Sequence, residues 1–264
     1  MIQALRRTGQ PTLSVLREKT LAERGKRLLS WFRVIIAIEL LLLLAGGLAM
    51  ILLVRSPRRR RVSAAPIPPP WSWAAGMTVL IRGAAIGIVL VILGVTIAEW
   101  AGMQVASSLG LIELLVYLPA LFLARKYLLG PTRRRLLRCS GLHPKVVKWD
   151  AWGLTALAGF LVVVLGETAW MCAGSAAGFS MHWTEWFLPE LAWGTPPIVV
   201  GVFLAMVVFA PLFEELVFRG LLFATLRRKC GVGLSVVISA ALFASLHGYG
   251  LLGWLAVFWF GLVL

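Results

Sequence analysis

Acidic residues are scarce in this chain. Its 264 residues include 11 Asp and Glu against 26 Lys and Arg, and charged residues of both signs make up only 14%. Soluble domains carry about 25% charged residues, so the composition excludes an ordinary soluble domain. Cysteine is also rare. Cys139, Cys172 and Cys230 stand apart without a C-x-x-C or zinc-type spacing, so we expect reduced thiols without a structural role.

Hydrophobic residues make up 60% of the chain, and the mean hydropathy is +0.89. A bilayer core of ~30 Å requires about 20 apolar residues per helix. Strand-like alternation is absent, and the apolar runs are too long for barrel strands. The sequence therefore predicts an all-α, polytopic transmembrane helical bundle with six to seven spans. The predicted spans are 31–54, 77–99, 108–124, 151–173, 196–218, 233–248 and a last one from Leu251 onward.

The chain divides into a basic N-terminal tail (1–30), an N-terminal membrane region with basic loops (31–150) and a membrane core (151–264). The net charge of +15 is concentrated in short clusters between apolar stretches. The positive-inside rule predicts such clusters in cytoplasmic loops. Binding of anionic lipid remains a weaker alternative, and we expect no nucleic acid partner. The basic tail departs from this pattern, because a simple first crossing places it outside.

The stretch APLFEELVFRGLLF places three charged residues inside an apolar run. On a helix, Glu215 and Arg219 share a face and can pair, whereas Glu214 points about a hundred degrees away. An ionisable residue within a membrane span is costly and is by default a functional hypothesis. The alternative is a salt-bridged helix end at the membrane interface, with both carboxylates held by Arg219.

The next polar feature is ALFASLHGYG, which places His247 near the end of the following span. Phe243 lies one turn earlier on the same face. A lone histidine in this position is often only an interfacial or core residue. Together with the glutamate pair it indicates chemistry, because a carboxylate and an imidazole are standard partners for activating water, directly or through a metal.

Other glutamates also lie in or near the predicted spans. We expect structural polar contacts within the bundle for them, with a proton relay or a pair with Arg82 as the alternatives. They are Glu39, Glu99, Glu113 and Glu167.

The two stretches resemble the CPBP intramembrane proteases, which include the type II CAAX prenyl endopeptidases and the Abi proteins. That family carries E-E-x-x-x-R and then F-x-x-x-H, which appear here as EELVFR and FASLH on consecutive predicted helices. The resemblance covers roughly 195–264 and makes 151–264 a CPBP-like core. Residues 1–150 resemble nothing that we recognise.

The resemblance implies a role for each matching residue. Glu214 is the general base that activates water, and Glu215 with Arg219 forms the supporting ion pair. His247 holds the water or, in a zinc-dependent enzyme, binds the metal together with Glu214. Phe243 packs beside the site. Zinc is thus a possible cofactor, but catalytic zinc usually has three protein ligands.

A third family motif, H-x-x-x-N or H-x-x-x-D, is absent from this sequence, which ends in the apolar run WFGLVL. In the family this motif is taken to stabilise the oxyanion. The other histidines, His143 and His182, lie upstream of the first motif and cannot replace it. We therefore expect the chain to be truncated, with the core incomplete at its C-terminus.

The leading hypothesis is an intramembrane endopeptidase of the CAAX prenyl protease 2 type that acts on peptides or protein tails at the bilayer. The expected location is a bacterial plasma membrane, with the active site toward the cytoplasm. A catalytically impaired scaffold or bacteriocin-immunity-type protein is the alternative, and a small transporter is a weaker one, because no paired interrupted helices support it.

Overall fold

The computed structural model describes residues 11–55, 69–101, 109–128, 149–179, 191 and 194–263. Over these residues the chain is helical and contains no strand, which confirms the predicted all-α membrane fold. The helices are α1 (Pro11–Arg55), α2 (Trp73–Trp100), α3 (Leu109–Tyr127), α4 (Trp149–Ala176), α5 (Pro196–Leu226), α6 (Val232–Ser245) and α7 (Leu251–Val263).

Four of these helices contain stretches that are long and apolar enough to cross a membrane: Leu29–Arg55, Trp73–Trp100, Ala151–Ala176 and Pro196–Leu226. They match four of the predicted spans. The helix α1 begins earlier than expected, inside the predicted tail, and α5 continues eight residues beyond the predicted end at 218. The helices α6 and α7 are shorter apolar helices of 14 and 13 residues.

The described residues form two compact units. In one unit, α1 packs against Gly153–Leu161 of α4. Gly46 makes this contact possible, because a Cβ atom at this position would lie 2.6 Å from the backbone oxygen of Leu157. Small residues of this kind let membrane helices approach closely where lipid offers no hydrophobic driving force.

The second unit contains α2, α3, the rest of α4, and α5 to α7. The helices α2 and α3 run antiparallel, since Gly83 packs on Ala120 and Gly87 on Val116. At Gly87 a Cβ atom would lie 2.5 Å from the Val116 carbonyl oxygen, so the sequence GAAIG acts as a small-xxx-small contact surface. This packing fixes α3 on α2, and α3 in turn borders α5.

The end of α5 is held by a buried core. Leu221 is fully buried and packs with Trp71, Val79 and Ala124. A second cluster, formed by Phe218, Leu222 and Leu226, packs against residues of α2, α3 and α6. A hydrogen bond joins α4 to α7: the Trp259 indole N–H donates to the Val162 carbonyl oxygen at 3.1 Å. The charged stretch of α5 therefore overlaps the start of the two hydrophobic clusters that hold the end of this helix.

Candidate active site

The helix that carries the two glutamates is not a uniform α-helix. Within α5, Ala205–Phe209 and Glu215–Phe223 are π-helical, and Ala210–Glu214 between them is α-helical. Pro211 has no N–H to donate, which interrupts the normal helical bonding just before the pair. The Ala210 N–H donates instead to the Ala205 carbonyl, a π-type i to i−5 bond. Such π segments are rare and occur frequently at functional sites.

The expected ion pair between Glu215 and Arg219 is present. The Arg219 Nη1 donates to Glu215 Oε1, and the pair spans four residues. The side chains are 28% and 49% exposed for Arg219 and Glu215 respectively. Arg219 also interacts electrostatically with Glu214. The Arg219 guanidinium thus interacts with both carboxylates, but its described ion pair is with Glu215.

Glu214 has a different partner. The Tyr117 hydroxyl on α3 donates to Glu214 Oε1 at 3.3 Å in a partly buried position. The two carboxylates are therefore inequivalent, as the helix geometry predicts. Sequence reasoning did not find Tyr117. The signal available for it was a polar group within the apolar stretch LLVYLPALF.

The helix α6 packs against the part of α5 that carries the charged residues. The rings of Phe218 and Phe243 meet edge to face with centroids 5.1 Å apart. Buried Ser239 donates from its hydroxyl to the Phe218 carbonyl oxygen at 3.4 Å, within the π-helical part of α5. Sequence reasoning missed Ser239 as well, although it precedes Phe243 by four residues and so shares its helix face.

A cavity lies between α5, α6 and α7. Its volume is about 10 Å³, roughly the space that one buried water molecule requires. Both glutamates and Arg219 line it, so the cavity combines charged groups with apolar walls, and a water there would meet polar partners. The lining residues are Glu214, Glu215, Phe218, Arg219, Ser239, Ala240, Phe243 and Gly261.

His247 lies beside this cavity rather than in its lining. The predicted span 233–248 includes His247, but α6 ends at Ser245 and His247 occupies the turn that follows. The ring contacts Phe243 at 4.6 Å and Tyr249 at 5.8 Å between centroids. Its Nδ1 lies 2.9 Å from the Phe243 carbonyl oxygen. Because that oxygen only accepts, Nδ1 carries the proton, and Nε2 is the acceptor of the neutral ring.

The donor set of the described residues does not fit a zinc ion. A catalytic zinc site uses three protein ligands, and the described part of the chain holds no group of three or more His, Cys, Asp or Glu side chains placed to bind a metal. Of the two ligands that the resemblance suggests, Glu214 lines the cavity and His247 does not.

The other membrane glutamates do not make the contacts that we expected. Glu39, Glu99 and Glu167 are exposed, as is Arg82, and the described residues provide no hydrogen bond or ion pair for them. The prediction of structural contacts within the bundle is therefore wrong for these three, because their helices turn them outward. The Glu113 side chain, His143 and His182 lie outside the described residues.

The comparisons with known proteins bear on this part of the chain. Residues 196–264, about a quarter of the sequence, match the family model described as type II CAAX prenyl endopeptidase Rce1-like. A comparison with curated proteins gave no match, and a comparison with solved structures gave none. The matched family is a protease family, which supports a protease in general. Residues 196–264 are thus similar to this protease family, in agreement with the resemblance to the CPBP intramembrane proteases that the sequence motifs indicate.

Proposed function

We propose that this protein is an intramembrane endopeptidase of the CPBP, CAAX prenyl protease 2 type. The observation that supports this most is the cavity of water-molecule size within α5–α7, lined by both carboxylates and Arg219. A hydrolase needs one positioned water and a base within hydrogen-bonding reach of it. The family match supports the same class of reaction.

In the proposed reaction, Glu214 accepts a proton from the water while the water oxygen attacks the peptide carbonyl carbon. The C–N bond of the tetrahedral intermediate then breaks, and Glu214 returns the proton to the leaving amine. Arg219, neutralised by Glu215, keeps the local charge low around the reacting groups. General acid–base catalysis of this kind contributes roughly 10²- to 10⁴-fold in rate.

His247 and Phe243 have supporting roles in this proposal. The hydrogen bond from Nδ1 to the Phe243 carbonyl fixes the tautomer, so that Nε2 accepts hydrogen bonds. We propose that Nε2 helps to hold the water or the substrate peptide once a substrate occupies the site. Because Phe243 lines the cavity and His247 does not, this contact requires the two side chains to adjust on binding.

The proposed setting is the bilayer, with a peptide or protein tail that reaches the membrane as substrate. The basic residues Arg227, Arg228 and Lys229 directly follow α5. The positive-inside rule places such a cluster in the cytoplasm. Glu214 lies twelve residues before Leu226, and we propose that substrates approach from this cytoplasmic side of a bacterial plasma membrane. Nucleic acid has no part in this proposal.

The test is cleavage of a prenylated, fluorogenic tail peptide by the whole chain in lipid vesicles. We expect Glu214→Gln to lower the rate by at least about 100-fold, and His247→Ala to abolish measurable cleavage. Glu167→Gln is the matched control, since Glu167 is an exposed membrane glutamate outside the site, and it retains the parent rate. Size-exclusion profiles in detergent verify that each variant folds.

Two results speak against the proposal. If Glu214→Gln and His247→Ala cleave as fast as the parent chain, the mechanism is wrong. If the parent chain cleaves no faster than vesicles without protein, the alternative of a catalytically impaired scaffold or immunity-type protein is favoured.

A further inference from the structure

We infer that Tyr117 of α3 is a positioning residue that orients the Glu214 carboxylate, and that the site therefore extends beyond the residues matched by the family model. This inference rests on the proposed function. Glu214 lies inside the matched residues 196–264, whereas Tyr117 lies well upstream in the sequence. The hydrogen bond between them joins two helices that are 97 residues apart in the chain.

The need for such a residue follows from the torsional freedom of glutamate. The terminal torsion of a Glu side chain is broad, so the carboxylate plane rotates readily unless something holds it. The Tyr117 hydroxyl donates to Oε1. This contact selects one carboxylate orientation and leaves Oε2 to accept a proton from water.

The nearby Arg219 makes a fixed orientation of the Glu214 carboxylate more important. It pairs with Glu215 and also interacts electrostatically with Glu214. Without a second donor, nothing described in the structure holds the Glu214 carboxylate away from the guanidinium. A carboxylate engaged by Arg219 is a poorer proton acceptor, because the ion pair favours its charged form. The Tyr117 hydroxyl gives Glu214 a second, uncharged donor on another helix.

Tyr117 is itself firmly placed. Its ring is partly buried against the cluster of Phe218, Leu222 and Leu226 on α5. The preceding residue, Val116, packs on Gly87 of α2 at a distance that leaves no room for a side chain there. The α2–α3 packing thus fixes the position of the hydroxyl. The O···O distance of 3.3 Å is longer than the usual 2.5–3.0 Å, and hydrogen bonds of catalytic groups often tighten only when substrate binds.

The experiment compares Tyr117→Phe with the parent chain in lipid vesicles, with the prenylated tail peptide as probe. The substitution keeps the packed ring and removes only the hydroxyl. We expect kcat to fall roughly tenfold, since a hydrogen bond to a charged group is lost. We expect KM to stay within about twofold, because the orientation of the base matters in the transition state more than in substrate binding. Tyr127→Phe is the matched control on the same helix. Tyr127 is exposed and contacts Lys126, so both constants remain unchanged.

An infrared measurement tests the contact independently of activity. The difference spectrum between the parent chain and Glu214→Gln isolates the carboxyl bands of Glu214. We expect Tyr117→Phe to shift these bands and Tyr127→Phe to leave them in place. A tyrosine that only fills space would not change them, because phenylalanine fills nearly the same space.

The outcomes separate this inference from the function on which it rests. If Glu214→Gln retains full activity, the proposed function and the role of Tyr117 are both refuted. If Glu214→Gln is inactive while Tyr117→Phe keeps the parent kcat and the same carboxyl bands, the proposed function stands and the role of Tyr117 is refuted. A loss of kcat with shifted bands supports the assignment. A loss of activity with unshifted bands refutes it, since the effect then does not act through Glu214.

Discussion

The buried hydrogen bond between Trp71 and Thr225 is expected to hold the end of α5 in place. The Trp71 indole N–H donates to the Thr225 hydroxyl at 3.0 Å, and the two side chains are 4% and 0% exposed respectively. Gly76 on α2 packs directly against the same threonine, so that a Cβ atom at Gly76 would overlap it. The perturbation is Thr225→Val, which keeps the shape of the side chain and removes the acceptor.

The expected loss of unfolding free energy follows from the buried group that Thr225→Val leaves without a partner. Valine fills the space of threonine, so no cavity forms, but the Trp71 N–H remains buried without its partner. An unsatisfied buried donor costs about 1–3 kcal/mol. Trp71→Phe removes the donor, and in that background Thr225→Val removes a hydroxyl that has already lost this bond. We therefore expect Thr225→Val to cost about 1–3 kcal/mol in the parent chain and measurably less in the Trp71→Phe chain.

The assay is a double-mutant cycle on the free energy of unfolding in detergent micelles, followed by far-ultraviolet circular dichroism. The cycle comprises the parent chain, Thr225→Val, Trp71→Phe and the double variant. A coupling energy of roughly 0.5 kcal/mol or more is expected for residues in contact. If the two substitutions add without coupling, the hydrogen bond contributes nothing to stability, and the reasoning about this end of α5 is refuted.

Two further predictions concern other contacts of this unit. Gly166→Val should displace the Trp259 indole, whose atoms occupy the place of a Cβ there. It should lower the unfolding free energy by about 1–3 kcal/mol and change the tryptophan fluorescence. Gly153→Val on the same helix is the control, because Gly153 has open space around it. This variant should keep the unfolding free energy and the fluorescence closer to their parent values. Glu215→Gln combined with Arg219→Gln should be more stable than Arg219→Gln alone, by about 1 kcal/mol or less for a pair of this exposure. Equal stability of those two variants by thermal unfolding would contradict the ion pair.

The sequence predicts much of this fold because the apolar runs are long and continuous. The bounds of α2 and α4 lie within a few residues of the predicted spans. The prediction was least accurate where the helix type changes. The end of α5 was placed at 218, before the π-helical segment is complete, and the chain continues as a helix to Leu226. Nothing in hydropathy distinguishes a π turn from an α turn, so that extension was not predictable from composition.

The site could be predicted only where its residues lie close together in the sequence. The Glu215–Arg219 contact follows from the four-residue spacing and is present in the structure. Tyr117 could not be assigned to Glu214, because the contact depends on which faces of α3 and α5 meet. The position of His247 was misjudged for a local reason. The helix α6 ends at Ser245, and Gly248 adopts a positive φ of 65° in the turn that follows, a conformation that glycine permits at little cost.

The charges of α5 also suggest how a water in the cavity is oriented. Two carboxylates and one guanidinium leave a net charge of −1, and because Glu215 is paired with Arg219, this charge resides on Glu214. A partly buried anion within a membrane helix is costly unless hydrogen-bond donors surround it. Tyr117 supplies one donor to Oε1, and a water in the cavity is a candidate for the next. Such a water lowers the cost most by pointing a hydrogen at Glu214, which turns its oxygen lone pairs away from the carboxylate. In the proposed mechanism, that orientation presents a nucleophile with its proton already directed at the base. The same electrostatic requirement that makes the charge tolerable in the membrane would then also prepare the water for attack.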